Sequence, residues 1–199
     1  SILIIAMMTR LRQICCEPRM LYENYKGEST KFTMCLELIE TLKENGKKVL
    51  LFSSFTSIFD SFIEEFKQRG IKYHMITGAV DKKKRKEEVD AFQSDDSDVF
   101  LISLKAGGTG LNLTKAQAVI HYDPWWNVSA QNQATDRAYR IGQTKNVLVY
   151  QLLMKNTIEA KIYEMQKRKK EMSDIFVENS NGGISTLSKE ELRDLFSME

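Results

Sequence analysis

Arg137 and Arg140 stand three residues apart in Gln133-Ala-Thr-Asp-Arg-Ala-Tyr-Arg-Ile-Gly-Gln143. That spacing puts both side chains on one face of a helix. Two guanidinium forks on one face suit the equatorial oxygens of a transferring γ-phosphoryl group, whose developing charge needs stabilising. An arbitrary pair of this kind is more often a solvated helix face, with one arginine answered by Asp136 or Asp123.

A second segment, Leu104-Lys-Ala-Gly-Gly-Thr-Gly-Leu-Asn-Leu113, follows a predicted strand directly. Gly107, Gly108 and Gly110 permit close backbone approach, and N–H groups exposed there can cradle a phosphate. The segment is not a Walker A loop, because no Gly-Lys-Ser/Thr follows at the required spacing. Taken alone, a tight turn without a ligand explains it equally well. A third segment, Tyr122-Asp-Pro-Trp-Trp-Asn127, sets two tryptophans just past another predicted strand. They suit a packing plug, a base-stacking platform or a contact to a partner lobe, and packing is the favoured reading.

The elements that must hold these segments alternate along the chain. Short apolar runs at 49–53, 72–76, 99–103, 118–122 and 147–152 read as strands covered on both faces, which favours a mainly parallel sheet. Phe32, Cys35, Leu36, Ile39 and Leu42 repeat at helical spacing before Gly46, and Phe59, Phe62, Ile63 and Phe66 do so before Gly70. Asp81 caps a third helix whose inner side carries Val89 and Phe92. The expectation is an α/β fold, a three-layer domain with a mainly parallel sheet and flanking N-terminal and C-terminal helices. Four parts are expected. Residues 1–28 form a lead-in, 29–156 the domain, 157–178 a long helix with Ile158, Ile162, Met165, Met172 and Ile175 as its stripe, and 179–199 a break and a terminal helix. The break is Asn179-Ser-Asn-Gly-Gly183, and Ser188 with Glu191 makes a capping box.

The chain has 199 residues, 42% hydrophobic and 28% charged, which is enough for one core plus additions. Its net charge of +2 excludes a charged tail as the whole story. Locally the balance differs: residues 133–170 hold nine Lys/Arg against three Asp/Glu. Three cysteines, two of them adjacent at Cys15-Cys16, support neither a disulfide framework nor a zinc knuckle, so reduced thiols are expected. No apolar run reaches the ~20 residues of a membrane span, and the apolar stretch Ser1 to Met8 lacks the basic flank and cleavage site expected of a signal peptide. A start at Ser1 inside an apolar pattern reads as a piece of something longer.

Taken in order, Phe52-Ser-Ser-Phe55, Ile76-Thr-Gly78, Gly107-Gly-Thr-Gly-Leu-Asn-Leu113, Asp123-Pro-Trp-Trp-Asn127 and Arg137-Ala-Tyr-Arg-Ile-Gly-Gln143 resemble motifs IV, IVa, V, Va and VI of the SWI/SNF-type ATPases of helicase superfamily two. The chain is similar to their C-terminal RecA-like lobe over nearly its whole length. Leu11-Arg-Gln-Ile-Cys-Cys-Glu-Pro18 resembles the segment joining the lobes, and 157–172 the brace helix. The family usually has His where Glu17 stands, Gln where Ser54 stands, and Pro-Ala-Val-Glu at 128–131. The resemblance implies a DNA-stimulated, ATP-dependent translocase or remodeller of double-stranded DNA. ATP and Mg²⁺ would be shared with an N-terminal RecA-like lobe that supplies the P-loop lysine and the acidic pair, neither of which occurs here. Arg137 and Arg140 would be arginine fingers. Gln133 and Gly110 would lie on the nucleotide side. Ser53, Ser54, Thr77, Gly78, Lys105, Gly107, Gly108 and Thr109 would contact the backbone of the tracked strand. The chain alone would not hydrolyse ATP. Its partners would be duplex DNA, the first lobe and a protein displaced from DNA, with no membrane. A bacterial cytoplasmic, nucleoid-associated setting is favoured by the lack of long insertions, and a nuclear one follows for a eukaryotic source.

Two other readings stay open: a RecA-like module that binds nucleic acid or a partner without hydrolysis, and a lobe of an RNA helicase. Lys82-Lys-Lys-Arg-Lys86 and Lys167-Arg-Lys-Lys170 can each touch duplex DNA, and the first resembles a nuclear import signal, but a solvated face is favoured for both. His74 and His121 read as structural, with no acid or thiol at ligand spacing. Met7, Met8, Met165 and Met172 read as gap-filling core.

Overall fold

The computed structural model describes residues 2–107, 111–125, 128–136 and 146–176. Five strands, β1 (Lys48–Ser53), β2 (Tyr73–Ile76), β3 (Val99–Ser103), β4 (Ala116–His121) and β5 (Leu148–Gln151), form one sheet in the order β2-β3-β1-β4-β5. Every neighbouring pair is parallel. The central strand β1 registers Leu51 against Leu101 on one side and Ile120 on the other.

Alternation along the strands sends residues to two cores. Val49, Leu51, Val99, Leu101, Ala118 and Ile120 face α2 (Thr30–Glu44) and α3 (Ile58–Arg69), which contribute Phe32, Cys35, Leu36, Ile39, Phe59, Phe62 and Phe66. Leu50, Phe52, Phe100, Ile102 and Val119 face the other way. There they meet Val89 and Phe92 of α4 (Lys82–Ser94) and Ala134 of α6 (Val128–Thr135). Both faces are therefore covered by helices, as parallel pairing requires. The expected three-layer α/β fold is the observed one.

Local chemistry sets the element ends. The Asp81 carboxylate accepts from the Lys84 N–H at 2.9 Å and caps α4. Gly70 ends α3 at φ +60, a left-handed conformation that a side chain resists, and its N–H donates to the Phe66 carbonyl. Outside the three layers lie α1 (Ile2–Cys16) and α7 (Ile158–Phe176), which pack on each other through Met8, Ile158 and Ile162. A short helical turn, α5 (Leu104–Gly107), follows β3.

Two expectations need correction. Met7 is exposed, because α1 turns only its Ile4–Met8 side toward α7. Leu148 and Val149 of the edge strand β5 are exposed rather than covered. Ile63 packs against the first core beside the fully buried phenylalanines of α3, as its spacing implies. The Asn179–Gly183 break and the Ser188/Glu191 capping box lie outside the described residues, and Met172 and Ile175 are placed only as backbone of α7.

Candidate nucleotide and nucleic-acid interface

Strand order locates the site. The connection leaving β1 runs toward β2 on one side, and the connection leaving β4 runs toward β5 on the other. The loops at the carboxyl ends of β1 and β4 therefore diverge, and between them lies the crevice where open parallel sheets bind ligands. The described candidates fall on this edge. Ser53 and Ser54 end β1, Thr77 and Gly78 follow β2, Lys105 and Gly107 lie in α5 just past β3, and α6 after β4 carries Gln133. Lys105, Gly107 and Gln133 are placed through their backbone only. Gly108, Thr109, Gly110, Arg137 and Arg140 lie outside the described residues.

Asp123, fully buried, organises the crevice. Its Oδ1 accepts from the Ser53 hydroxyl at 2.7 Å and from the Ser54 N–H at 2.9 Å. Its Oδ2 accepts from the Arg12 guanidinium at 2.9 Å. The same Arg12 nitrogen donates to the Pro124 carbonyl at 3.0 Å and to the Ser54 Oγ at 3.2 Å, and the guanidinium lies 5.1 Å from the Phe55 ring centre. The arginine that answers Asp123 thus comes from α1. Ser53 keeps its hydroxyl off the surface: the proton goes to Asp123 and the oxygen accepts from the Phe55 N–H. Ser54 is half-buried and reaches the rim.

At the end of β2, Thr77 is half-buried and Gly78 exposed, in a turn closed by the Val80 N–H donating to the Thr77 carbonyl at 3.2 Å. Ser103 stands beside Ser53 in register, and its Oγ accepts from the Ala106 N–H, starting α5.

Beneath the rim, His121 is fully buried at the end of β4, and loss of hydration pulls its pKa down to about 4 against the opposite pull of Asp123. The ring is therefore neutral at pH 7. Its Nε2 meets the Thr135 Oγ at 2.8 Å, and the same Oγ lies 3.2 Å from the Gln131 carbonyl. The bond between His121 and Thr135 fastens α6, the helix of Gln133, to the sheet. Trp125 packs edge-on against Phe52 and His121 at 6.1 and 5.7 Å and is buried. Trp125 is a core plug, the reading favoured for the pair, and not a stacking platform; Trp126 lies outside the described residues.

His74 differs from expectation. Its Nδ1 lies 2.7 Å from Glu88 on α4 and its Nε2 2.7 Å from Asp95 just past that helix. The fold brings acids that the linear sequence holds apart, and the ring bridges two carboxylates. Among the described residues, no three His, Cys, Asp or Glu side chains gather as a metal site.

Arg12 had no role assigned from the sequence, and Asp123 had only that of an acid answering Arg137 or Arg140. Both lie inside segments that carry the family resemblance, and that was the available signal. Residues 30–142 match the family described as helicase conserved C-terminal domain. An "Uncharacterized ATP-dependent helicase" of Mycoplasma pneumoniae is 41% identical over 198 residues, spanning 97% of this chain and 19% of the relative. The "Putative ATP-dependent helicase/translocase YwqA" of Bacillus subtilis is 37% identical, spanning 98% of this chain and 22% of its own length. The chain thus spans about a fifth of the length of these curated relatives. Among solved structures, the Sulfolobus solfataricus SWI2/SNF2 ATPase core in complex with dsDNA superposes with a TM-score of 0.77 at 33% identity, covering 98% of this chain and 42% of that one. The C-terminal part of the Fun30 ATPase domain gives 0.70 at 28% identity, covering 94% and 60%. This chain belongs to the helicase conserved C-terminal domain family and is a C-terminal lobe of the SWI/SNF type.

Proposed function

We propose that this lobe serves a DNA-stimulated, ATP-dependent translocase that tracks along double-stranded DNA. The observation that carries the reading is the edge itself: candidates from β1, β2, β3 and the helix after β4 all emerge at one rim of the sheet, at its topological switch point. The donor set fits a polyphosphate. Asp123, the carboxylate at the crevice, is buried and neutralised by Arg12, so it does not repel an anion.

In this proposal Arg137 and Arg140 act as arginine fingers toward nucleotide bound against an N-terminal RecA-like lobe. Gln133 and Gly110 set the nucleotide side. Mg²⁺ is held by acidic residues of that other lobe. ATP, when bound, supplies the phosphoanhydride whose cleavage drives the cycle. Ser54, Thr77, Gly78, Lys105, Gly107, Gly108 and Thr109 donate to the phosphates of one strand, without base readout. Ser53 serves from behind by holding Asp123. The lobe boundaries are 29–156, with 1–28 as the joining segment, 157–178 as a brace, and 179–199 beyond it. The lobe alone does not hydrolyse ATP. The proposed setting is a bacterial cytoplasm beside the nucleoid, with protein on DNA as the displaced target, or a nucleus for a eukaryotic source; relatives come from both kinds of organism.

The test is ATP hydrolysis by the full-length protein, with and without duplex DNA. Arg137→Ala and Arg140→Ala should each lower turnover by about 10³–10⁵ while duplex binding persists. Retained turnover in both variants removes the finger assignment. Equal stimulation by RNA and by duplex DNA moves the lobe to the RNA helicases.

A further inference from the structure

The rim holds a hydroxyl with an arginine behind it. The Ser54 Oγ accepts from Arg12 at 3.2 Å, so its own proton is not used in that contact. The Ser54 N–H is used by Asp123. Ser54 is the half-buried member of this group, whereas Ser53, Asp123 and Arg12 are buried. A hydroxyl that accepts from a cation is a stronger donor on its other side, because polarisation along a hydrogen-bond chain is cooperative. Arg12 is itself fixed from three further directions: Asp123 Oδ2, the Pro124 carbonyl and the Phe55 ring. Its charge is answered inside the protein, so it does not compete for the ligand as a surface cation would.

We propose that Arg12 and Asp123 are positioning residues for a strand-phosphate contact made by the Ser54 hydroxyl. Asp123 holds Arg12 and the Ser54 backbone, and Arg12 orients the hydroxyl so that its proton points out of the crevice toward a phosphate oxygen. The inference rests on the duplex-DNA reading above and deepens it by naming the donor and what backs it.

The experiment is a double-mutant cycle on the full-length protein, read as the Kd for a short fluorescein-labelled duplex DNA, with thermal unfolding recorded in parallel. Ser54→Ala should weaken binding by about tenfold, the worth of one hydrogen bond to a charged oxygen. The salt dependence should stay unchanged, because a neutral hydroxyl releases no counterion. Arg12→Lys keeps the charge beside Asp123 but loses the planar fork, and it should weaken binding several-fold where Ser54 is present. In the Ser54→Ala background Arg12→Lys should have no further effect on Kd. Wild-type binding by Ser54→Ala, or an equal Arg12→Lys loss in both backgrounds, overturns the inference and leaves the DNA reading standing. Absence of duplex binding by the unaltered protein overturns both.

Discussion

Lys31 of α2 and Glu159 of α7 form a bidentate ion pair, with both carboxylate oxygens 2.7 Å from the ammonium and neither side chain more than 3% exposed. Glu159 also accepts the Met154 N–H at 3.0 Å, and the Lys31 ammonium stands 5.0 Å from the Tyr122 ring centre. Burial pushes the Glu159 carboxyl up from its usual value, and Lys31 pulls it back. The pair fixes the long C-terminal helix to the domain. Glu159→Gln leaves the lysine buried without its counter-charge and should lower unfolding stability by about 3–5 kcal/mol in urea titration. Lys31→Met combined with Glu159→Leu should recover most of that loss, since replacing both charges leaves neither orphaned.

The chain has two histidines, and the fold moves their pKa values in opposite directions. His121 is held down at about 4 by burial. Between pH 6.5 and 4 the unfolded chain takes a proton that the folded one refuses, so stability falls as pH drops through that window, by up to about 3 kcal/mol. Burial also opposes charge on His74, but the hydrogen bonds its ring donates to Asp95 and Glu88 outweigh it and raise its pKa above 6.5. Its contribution is complete below 6.5 and is lost as pH rises through the folded value. Proton NMR should resolve one imidazole resonance titrating above 6.5 and one near 4. His74→Gln and His121→Gln should each remove one of them. Two resonances both titrating near 6.5 would refute the assignment.

Thiol reactivity should follow burial. Cys16 and Cys35 are buried, and loss of hydration raises both thiols above their ordinary value. Cys15 is only partly covered; burial raises its thiol too, and the nearby Thr157 hydroxyl opposes the rise. The thiolate is the reacting form, so iodoacetamide should label the native protein slowly and at Cys15 first. All three should label at once in guanidinium, as mass mapping would show. Fast native labelling at Cys35 would contradict the packing of α2.

Trp125 fills the second core beneath the rim. Trp125→Ala should cost about 3–5 kcal/mol of stability, and Trp125→Phe clearly less, because the phenyl ring keeps the contacts to Phe52 and His121. Equal midpoints for both variants in thermal unfolding would place the tryptophan outside the core.

The strands were legible because both of their faces are apolar: Val49–Phe52 and Val99–Ile102 carry no polar residue to betray a solvent side. Asp81 and Gly70 were legible as helix ends because their local chemistry is self-contained. The bonds that organise the crevice were not. Arg12 and Asp123 lie 111 residues apart, and Lys31 and Glu159 lie 128 apart. No periodicity links such positions, and a surface arginine looks the same in sequence as a buried one. His74 shows the same limit at shorter range: Glu88 and Asp95 reach it only because α4 packs back beside β2. Glu17, which departs from the family's usual residue, is buried and accepts from the Arg19 backbone and guanidinium, so the substitution has a local partner two residues away.

The contacts of α1 carry a mechanical consequence. This helix is bolted to the mouth of the sheet by Arg12, while the Cys16 carbonyl takes the Tyr122 hydroxyl at 2.6 Å and Met8 lies against Ile162 of α7. The first and last described helices are thus cross-braced to the same strand end. A load on either helix is therefore passed to the carboxyl end of β4, because α1 holds Asp123 through Arg12 and packs on α7 through Met8.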